Sequence, residues 1–187
     1  YPQAFPEEAA ACTEADLVCG NGDRHAILEN VQKLLDGHER IVDIRAHEKG
    51  EHFEELPVER FESHTRAFIK VEDGCDRQCA YCVIPRARGP VRSRAEASIL
   101  QELATLAAAG YREVVFSGIS LPSYGRDTGT DLVSLLEKCA AVPGIERIRL
   151  GSLDPDMLDD DAIARLAAIE KLCPQYHLSL QSGCTAT

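Results

Sequence analysis

The 187-residue sequence has no apolar run near the roughly 20 residues that a membrane-spanning helix needs. Its start, Tyr1-Pro2-Gln3, has neither a basic n-region nor an apolar h-region, so no secretory signal is expected. The only methionine is Met157 and none stands at position 1, which reads as a processed or cut piece. There is no Gly-rich phosphate loop and no Ser-His-Asp set, and none of the six histidines has a partner at catalytic spacing. His177 alternates with Leu178 in a strand-like run and reads as structural. No internal repeat and no low-complexity tract is found. These absences speak against a membrane-spanning helix, a phosphate-loop nucleotide site and a serine hydrolase, and it is the cysteine usage that makes a cytoplasmic setting the expectation.

What is there in quantity is cysteine, eight in all. Four disulfides in a secreted protein is one reading. The chain is too long and too regularly patterned to need that scaffold, and a reducing compartment fits better. Three of the eight lie close together, in Gly74-Cys75-Asp76-Arg77-Gln78-Cys79-Ala80-Tyr81-Cys82. The spacing is C-x3-C-x2-C, with an aromatic residue just before the last cysteine. Three thiolates hold three irons of a [4Fe–4S] cube and leave the fourth open, so the pattern points to chemistry at the metal. Zinc is the rival, but a structural zinc site wants four ligands. His64 or a distant cysteine would have to complete the set. Unrelated core cysteines are the third reading.

Charge is uneven along the chain. Overall the net charge is −11, yet residues 64–95 hold 3 acids and 7 bases. This basic island surrounds the cysteines, and Arg86, Arg88, Arg92 and Arg94 follow them directly. An acidic chain is a poor general nucleic-acid binder, and no DNA partner is expected. A local basic island still suits a phosphate backbone. Pairing of these arginines with neighbouring acids is the alternative.

From residue 64 the pattern alternates strand and helix. Residues 66–71, 114–116, 145–150 and 176–180 read as strands. Helical spacing recurs at Ile99, Leu103, Leu106 and Ala107, then at Leu132, Leu135, Leu136 and Cys139, then over 159–169. Ser93-Arg94-Ala95-Glu96 has the form of a capping box, with Ser93 as N-cap. Strands alternating with helices imply parallel βα units whose strand C-terminal ends carry the site. Four units do not close a barrel of eight, so an open, partial parallel βα barrel is expected. Residues 1–45 read as a separate α/β piece, with helices near Pro6 and over Ile27–Leu35 and strands near 17–19 and 41–44. Residues 46–63 are acidic and aperiodic and read as a linker.

At this point the residues resemble a known family. C-x3-C-x-aromatic-C after a first strand is similar to the radical S-adenosylmethionine (SAM) enzymes. Three longer runs resemble the methylthiotransferases among them: Arg66 to Cys75, Ile84 to Arg94, and His177 to Cys184. Within these, Arg88-Gly89-Pro90-Val91-Arg92-Ser93-Arg94 is most similar to the tRNA-modifying branch that acts on threonylcarbamoyladenosine. The resemblance implies a partial barrel of the radical SAM type over 64–187. Residues 1–45 would then be the C-terminal part of an α/β methylthiotransferase N-terminal domain.

The resemblance also implies roles. Cys75, Cys79 and Cys82 would ligate a [4Fe–4S] cluster, and SAM would chelate its open iron. One electron from the cluster would cleave SAM to a 5′-deoxyadenosyl radical. Tyr81, Ser117, Gly118, Ser152, Asp154, Gln181 and Ser182 would lie against SAM, Ser117 and Gly118 near its amine. Asp154 stands where the family often has glutamate. Arg92 and Arg94 would face the cofactor carboxylate or the substrate, and the loop Tyr124-Gly125-Arg126-Asp127 the substrate. For each, a turn, cap or surface residue is the plainer reading. A second [4Fe–4S] cluster, the sulfur donor, would belong to the full-length parent only, since Cys12 and Cys19 do not match its ligand positions. The parent's partners would be tRNA and an electron donor such as a flavodoxin, with no membrane. The expected reaction is methylthiolation of C2 of N6-threonylcarbamoyladenosine at tRNA position 37, which this piece alone would not complete. A methylthiotransferase for another tRNA base or a ribosomal protein, and a non-enzymatic zinc-binding module, are the alternatives.

Overall fold

The computed structural model describes residues 1–58, 61, 64–155 and 158–185. Of the expected linker, Glu59, Arg60, Glu62 and Ser63 lie outside the described residues, as does Met157. The chain divides into two compact units. One combines Tyr1–Glu51 with Gly74–Pro90, and the other combines His52–Asp73 with Val91–Thr187. The division does not follow chain order, because the loop that carries the cysteines belongs to the same unit as the N-terminal residues.

In the N-terminal unit, α1 (Pro6–Ala10) opens with proline in its first turn, where a missing N–H costs nothing. Strand β1 (Leu17–Cys19) pairs in parallel with β2 (Ile41–Asp43), and α2 (His25–Leu35) connects them. Asn30 of α2 is buried, and its amide donates to Asp43 Oδ2 at 2.9 Å, joining helix to strand. This hydrogen bond, ahead of Arg45 and against burial, holds the Asp43 carboxyl below the ordinary carboxylate range. The short helix α3 (Ile84–Arg88) closes the cysteine loop.

The larger unit is built on a four-stranded sheet of order β4-β3-β5-β6. Strands β3 (Ala67–Asp73), β5 (Glu113–Gly118) and β6 (Arg147–Leu150) run parallel, as the alternating pattern implies. Strand β4 (Arg92–Ser93) is antiparallel to the end of β3, which the purely parallel expectation missed. The α/β class and the parallel βα order match expectation. The third expected strand, 145–150, forms as β6 from Arg147, and past Gly151 a short strand β7 (Ser152–Leu153) follows that was not expected. The fourth, β8 (His177–Leu178), pairs with β7 and not with the main sheet.

Alternation decides which side chains form the core. Ala67, Ile69 and Val71 of β3, Val114 and Phe116 of β5, and Ile148 and Leu150 of β6 all point one way. Against them pack Ile99, Leu103 and Leu106 of α4 (Glu96–Ala108) and Leu132, Leu135, Leu136 and Cys139 of α5 (Leu132–Ala140). Leu166 of α6 (Asp160–Ala168) completes the layer. Each fully buried large apolar side chain contributes about 1.5–3 kcal/mol. The opposite sheet face carries Phe68, Lys70, Ser117 and Arg149.

The capping box expected at Ser93 does not form. Ser93 lies in β4, its hydroxyl donating to Asp127 Oδ1 at 2.5 Å and accepting from Gly125 N at 2.7 Å. Helix α4 starts at Glu96 after the extended residue Ala95, which offers no side-chain cap. A partner more than thirty residues away has outcompeted the local backbone. True N-caps stand at Asp131, bonded to Ser134 N, and at Asp159, bonded to Ala162 N, both at 2.8 Å.

Candidate functional site

The cysteine loop begins where β3 ends. Gly74 has φ of 86°, a left-handed conformation that glycine alone adopts without strain. A Cβ there would collide with the Pro90 carbonyl. Cys75 N donates to Gly89 O at 3.0 Å, so the two ends of the loop are tied together. Within it Cys82 N donates to Cys79 O at 3.0 Å. Beyond the third cysteine, α3 is anchored twice to the N-terminal residues of its own unit. Asn21 Nδ2 donates to Ala87 O at 2.8 Å, and Arg86 donates to Ala4 O at 2.7 Å while its guanidinium covers the Phe5 ring.

All eight cysteines are thiols, with Cys79 exposed and Cys75 and Cys82 half-buried. Among the described residues, no three His, Cys, Asp or Glu side chains are gathered at metal-binding distance. The loop's donor set nevertheless fits a cluster. It offers three soft sulfur ligands, and Ile84 N–H donates to Cys82 Sγ at 3.4 Å, the bond that favours a thiolate. Coordination itself draws such ligands together, because binding energy and folding energy are shared in metal loops. A cleft of about 570 Å³ opens beside Cys75, lined also by His47, Asp76, Gln78 and Arg86. His47 is held on both ring nitrogens, by Glu51 Oε2 at 2.8 Å and Asn21 Oδ1 at 3.0 Å.

The larger unit holds the expected cofactor residues. Ser117 and Gly118 close β5, and the Ser117 hydroxyl donates to Ile69 O at 3.4 Å. Ser152 begins β7, and Asp154 follows it, half-buried. Gln181 and Ser182 follow β8 and are exposed. Gln181 has φ of 61°, a conformation uncommon for a residue with a side chain and found disproportionately at functional positions. Tyr81, in the cysteine loop, is 75% exposed.

The two arginines are not alike. Arg94 is buried, and its guanidinium bonds the Glu102 carboxylate and Ser98 Oγ, the latter at 2.9 Å from Nη2. Its carbonyl accepts from the Tyr124 hydroxyl at 3.2 Å, and burial pushes that phenol up to about 12. Arg92 is equally buried but stands 3.7 Å from Asp73 Oδ2 at the strand end. The Tyr124–Asp127 loop bonds Ser93 of β4 and the carbonyl of Arg94 just after it.

Sequence reasoning gave no role to Glu72. It is fully buried at the end of β3, opposite Gly118 in register, and its Oε2 accepts Ser120 N–H at 2.7 Å. Burial first, then the neighbouring Asp73, pushes its carboxyl up to about 7, against the opposing pull of Ser120 N–H, Lys70 and Arg92. Alternation from Phe68 and Lys70 would place position 72 on the face opposite Ala67, Ile69 and Val71, and only the register shift after Lys70 brings the acid into the buried strand end.

Comparison with known proteins bears on what this arrangement serves. The chain is 38% identical over 188 residues to "Threonylcarbamoyladenosine tRNA methylthiotransferase MtaB" of Aquifex aeolicus (strain VF5), covering 98% of this chain and 45% of that protein. It is 36% identical over 170 residues to "tRNA-2-methylthio-N(6)-dimethylallyladenosine synthase" of Pelotomaculum thermopropionicum, covering 90% of this chain and 38% of that protein. The chain thus spans less than half the length of these curated relatives. Among solved structures, the radical S-adenosylmethionine methyltransferase TsrM of Kitasatospora setae aligns at 24% identity and a TM-score of 0.44, over 55% of this chain and 20% of that one. Residues 69–185 match the profile of the Radical SAM superfamily. That match takes in the three cysteines and the strand ends alike, and the chain belongs to the Radical SAM superfamily.

Proposed function

We propose that this chain is part of a tRNA methylthiotransferase that adds a methylthio group to C2 of N6-threonylcarbamoyladenosine at tRNA position 37. The observation that carries the reading is the 38% identity, running through 98% of the chain, to a relative named for that substrate. In this reading residues 1–45 are the end of a methylthiotransferase N-terminal domain, 46–63 a linker and 64–187 the first part of the radical SAM core.

Cys75, Cys79 and Cys82 hold the [4Fe–4S] cluster as thiolates. The cluster and SAM together supply one-electron cleavage chemistry, and the chain positions and shields them. Ser117, Gly118, Ser152, Asp154, Gln181 and Ser182 bind SAM through hydroxyls, backbone groups and one carboxylate, and the resemblance assigns Tyr81 to the same cofactor. Arg92 and Arg94 are assigned together to the cofactor or substrate carboxylate, with Asp73 standing beside Arg92 and with Glu102 and Ser98 engaging the guanidinium of Arg94. A second cluster, a flavodoxin-type reductant and tRNA itself are partners of the full-length cytoplasmic protein.

The test is anaerobic reconstitution of the full-length protein, followed by iron, sulfide and zinc analysis and mass spectrometry of nucleosides from tRNA of a strain lacking the gene. Iron with sulfide, and conversion of threonylcarbamoyladenosine to its methylthio form, is the expected result. Stoichiometric zinc without sulfide would replace the reading with a zinc module. Conversion of dimethylallyladenosine, or of a ribosomal protein, would move it to a sister activity.

A further inference from the structure

Glu72 combines four properties that a surface carboxylate lacks. It is fully buried, and Oε2 accepts the backbone N–H of Ser120 at 2.7 Å. Its other oxygen, Oε1, is also buried and has no hydrogen-bond partner. The space it occupies exists because residue 118 is glycine, since a Cβ there would stand 2.7 Å from Oε2. The register of β3 shifts between Lys70 and Glu72, so that Lys70 faces Ser117 while Glu72 faces Gly118. The one-residue bulge at Val71 therefore aims the acid at the end of β5, as bulges near functional sites do.

Ser120 starts the turn that follows β5. Its hydroxyl bonds that of Ser123 at 2.8 Å, and Ser123 N donates to Ser120 O at 2.7 Å. Ser117 and Gly118 are held by the sheet pairing of β5 with β3, and beyond them the turn is tied to the end of β3 by the Glu72 carboxylate on Ser120 N–H. A buried acid with one oxygen satisfied and one not is costly to keep, and an apolar residue would pack there more cheaply.

We propose that Glu72 is a positioning residue that clamps the Ser117–Ser123 turn in the geometry that receives SAM. The inference rests on the reading that Ser117 and Gly118 contact that cofactor. Glu72 acts through Ser120 and Gly118 and makes no contact with the reacting atoms. The charged groups around it are Asp73 and Lys70 on its own strand and Arg92 on β4. As a carboxylate it accepts the Ser120 N–H more strongly than as a neutral acid. The clamp therefore tightens as pH rises through about 7.

The test compares full-length wild type, Glu72→Gln and Glu72→Leu, with the cluster installed and no reductant, so that SAM binds without turnover. Amide hydrogen exchange reads the bond directly. In Glu72→Leu the Ser120 amide is expected to exchange about tenfold faster, and in Glu72→Gln it stays protected through the amide oxygen. Titration calorimetry should show SAM affinity about tenfold weaker in Glu72→Leu and largely rescued in Glu72→Gln. Between about pH 6 and about pH 8, wild-type affinity should rise relative to Glu72→Gln, the cofactor's own titration being common to both proteins. Should the leucine variant fail to fold, this last ratio decides alone. A flat ratio, or a folded leucine variant with native exchange at Ser120 and native affinity, overturns the clamp while leaving the reading of the site intact. If wild type binds SAM but Ser117→Val and Gly118→Val bind it equally well, the reading of the turn fails, and the clamp's role toward SAM fails with it.

Discussion

Arg94 and Glu102 form an ion pair in which only 5% and 6% of the two side chains remain exposed. Ser98 takes two further guanidinium N–H groups, and Glu102 Oε1 accepts Val58 N–H at 3.1 Å, so both partners are satisfied on several sides. Removing one member leaves a buried charge without its counterion. Arg94→Ala is expected to cost about 3–5 kcal/mol of stability. The pair replacement Arg94→Met with Glu102→Leu should recover most of that loss. Denaturant midpoints of the three variants test this. A cost below about 1 kcal/mol for Arg94→Ala would return this arginine to the set of groups available to a ligand.

That pair also shows where a sequence stops being legible. The strands at Ala67–Asp73 and Glu113–Gly118 and the helices at Glu96–Ala108 and Leu132–Ala140 are readable because their apolar periods match the elements they form. The cysteine triad is readable because its spacing is itself the chemistry. Arg92 and Arg94 are equivalent in sequence, and only the fold decides that one meets Glu102 and the other Asp73. Ser93 satisfies a local capping rule yet bonds Asp127, since tertiary partners compete on equal terms with neighbours along the chain. The grouping of the cysteine loop with the N-terminal residues depends on Asn21 and Arg86 bonding carbonyls 66 and 82 positions away. No periodicity encodes such pairs.

Gly74 makes a sharp prediction about the cysteine loop. A side chain there meets both a strained backbone conformation and the Pro90 carbonyl. Gly74→Ala is expected to displace Cys75 relative to Gly89 and to cost about 1–3 kcal/mol locally. Because the larger sheet is built from other residues, the effect should fall mainly on iron uptake. Iron and sulfide per chain after anaerobic reconstitution should drop at least about twofold with little change in far-ultraviolet circular dichroism. Full iron loading would show that the loop tolerates the change.

The cysteines should separate by reactivity in the metal-free protein. Cys79 and Cys12 are exposed, whereas Cys139 is buried in the helix layer. Burial first, then the nearby Glu96, pushes the Cys139 thiol up to about 12. Since the thiolate is the nucleophile, Cys139 should react with a maleimide at least about a hundredfold more slowly than Cys79. Peptide mass spectrometry over a labelling time course measures both. After reconstitution Cys79 should become protected and Cys12 should not. Protection of Cys12 along with Cys79 would mean a ligand set other than the triad.

Glu72 makes stability depend on pH in a direction opposite to that of a salt-bridged carboxylate. Its folded value, about 7, lies above the ordinary 4.5. Between those values the folded state holds a proton that the unfolded state has released. Stability from this group is therefore present below about pH 4.5, declines as pH rises to about 7, and stays lower above that. Glutamine has no proton to lose, so Glu72→Gln should gain on wild type across the same window, by an amount on the order of 3 kcal/mol. Urea midpoints of the two proteins at about pH 5 and about pH 8 measure the change, and all other titrations cancel in the difference. A difference that is constant across the window would show that Glu72 is already ionised at low pH. One that shrinks with rising pH would mean its carboxylate is stabilised by Lys70 and Arg92 more than burial disfavours it.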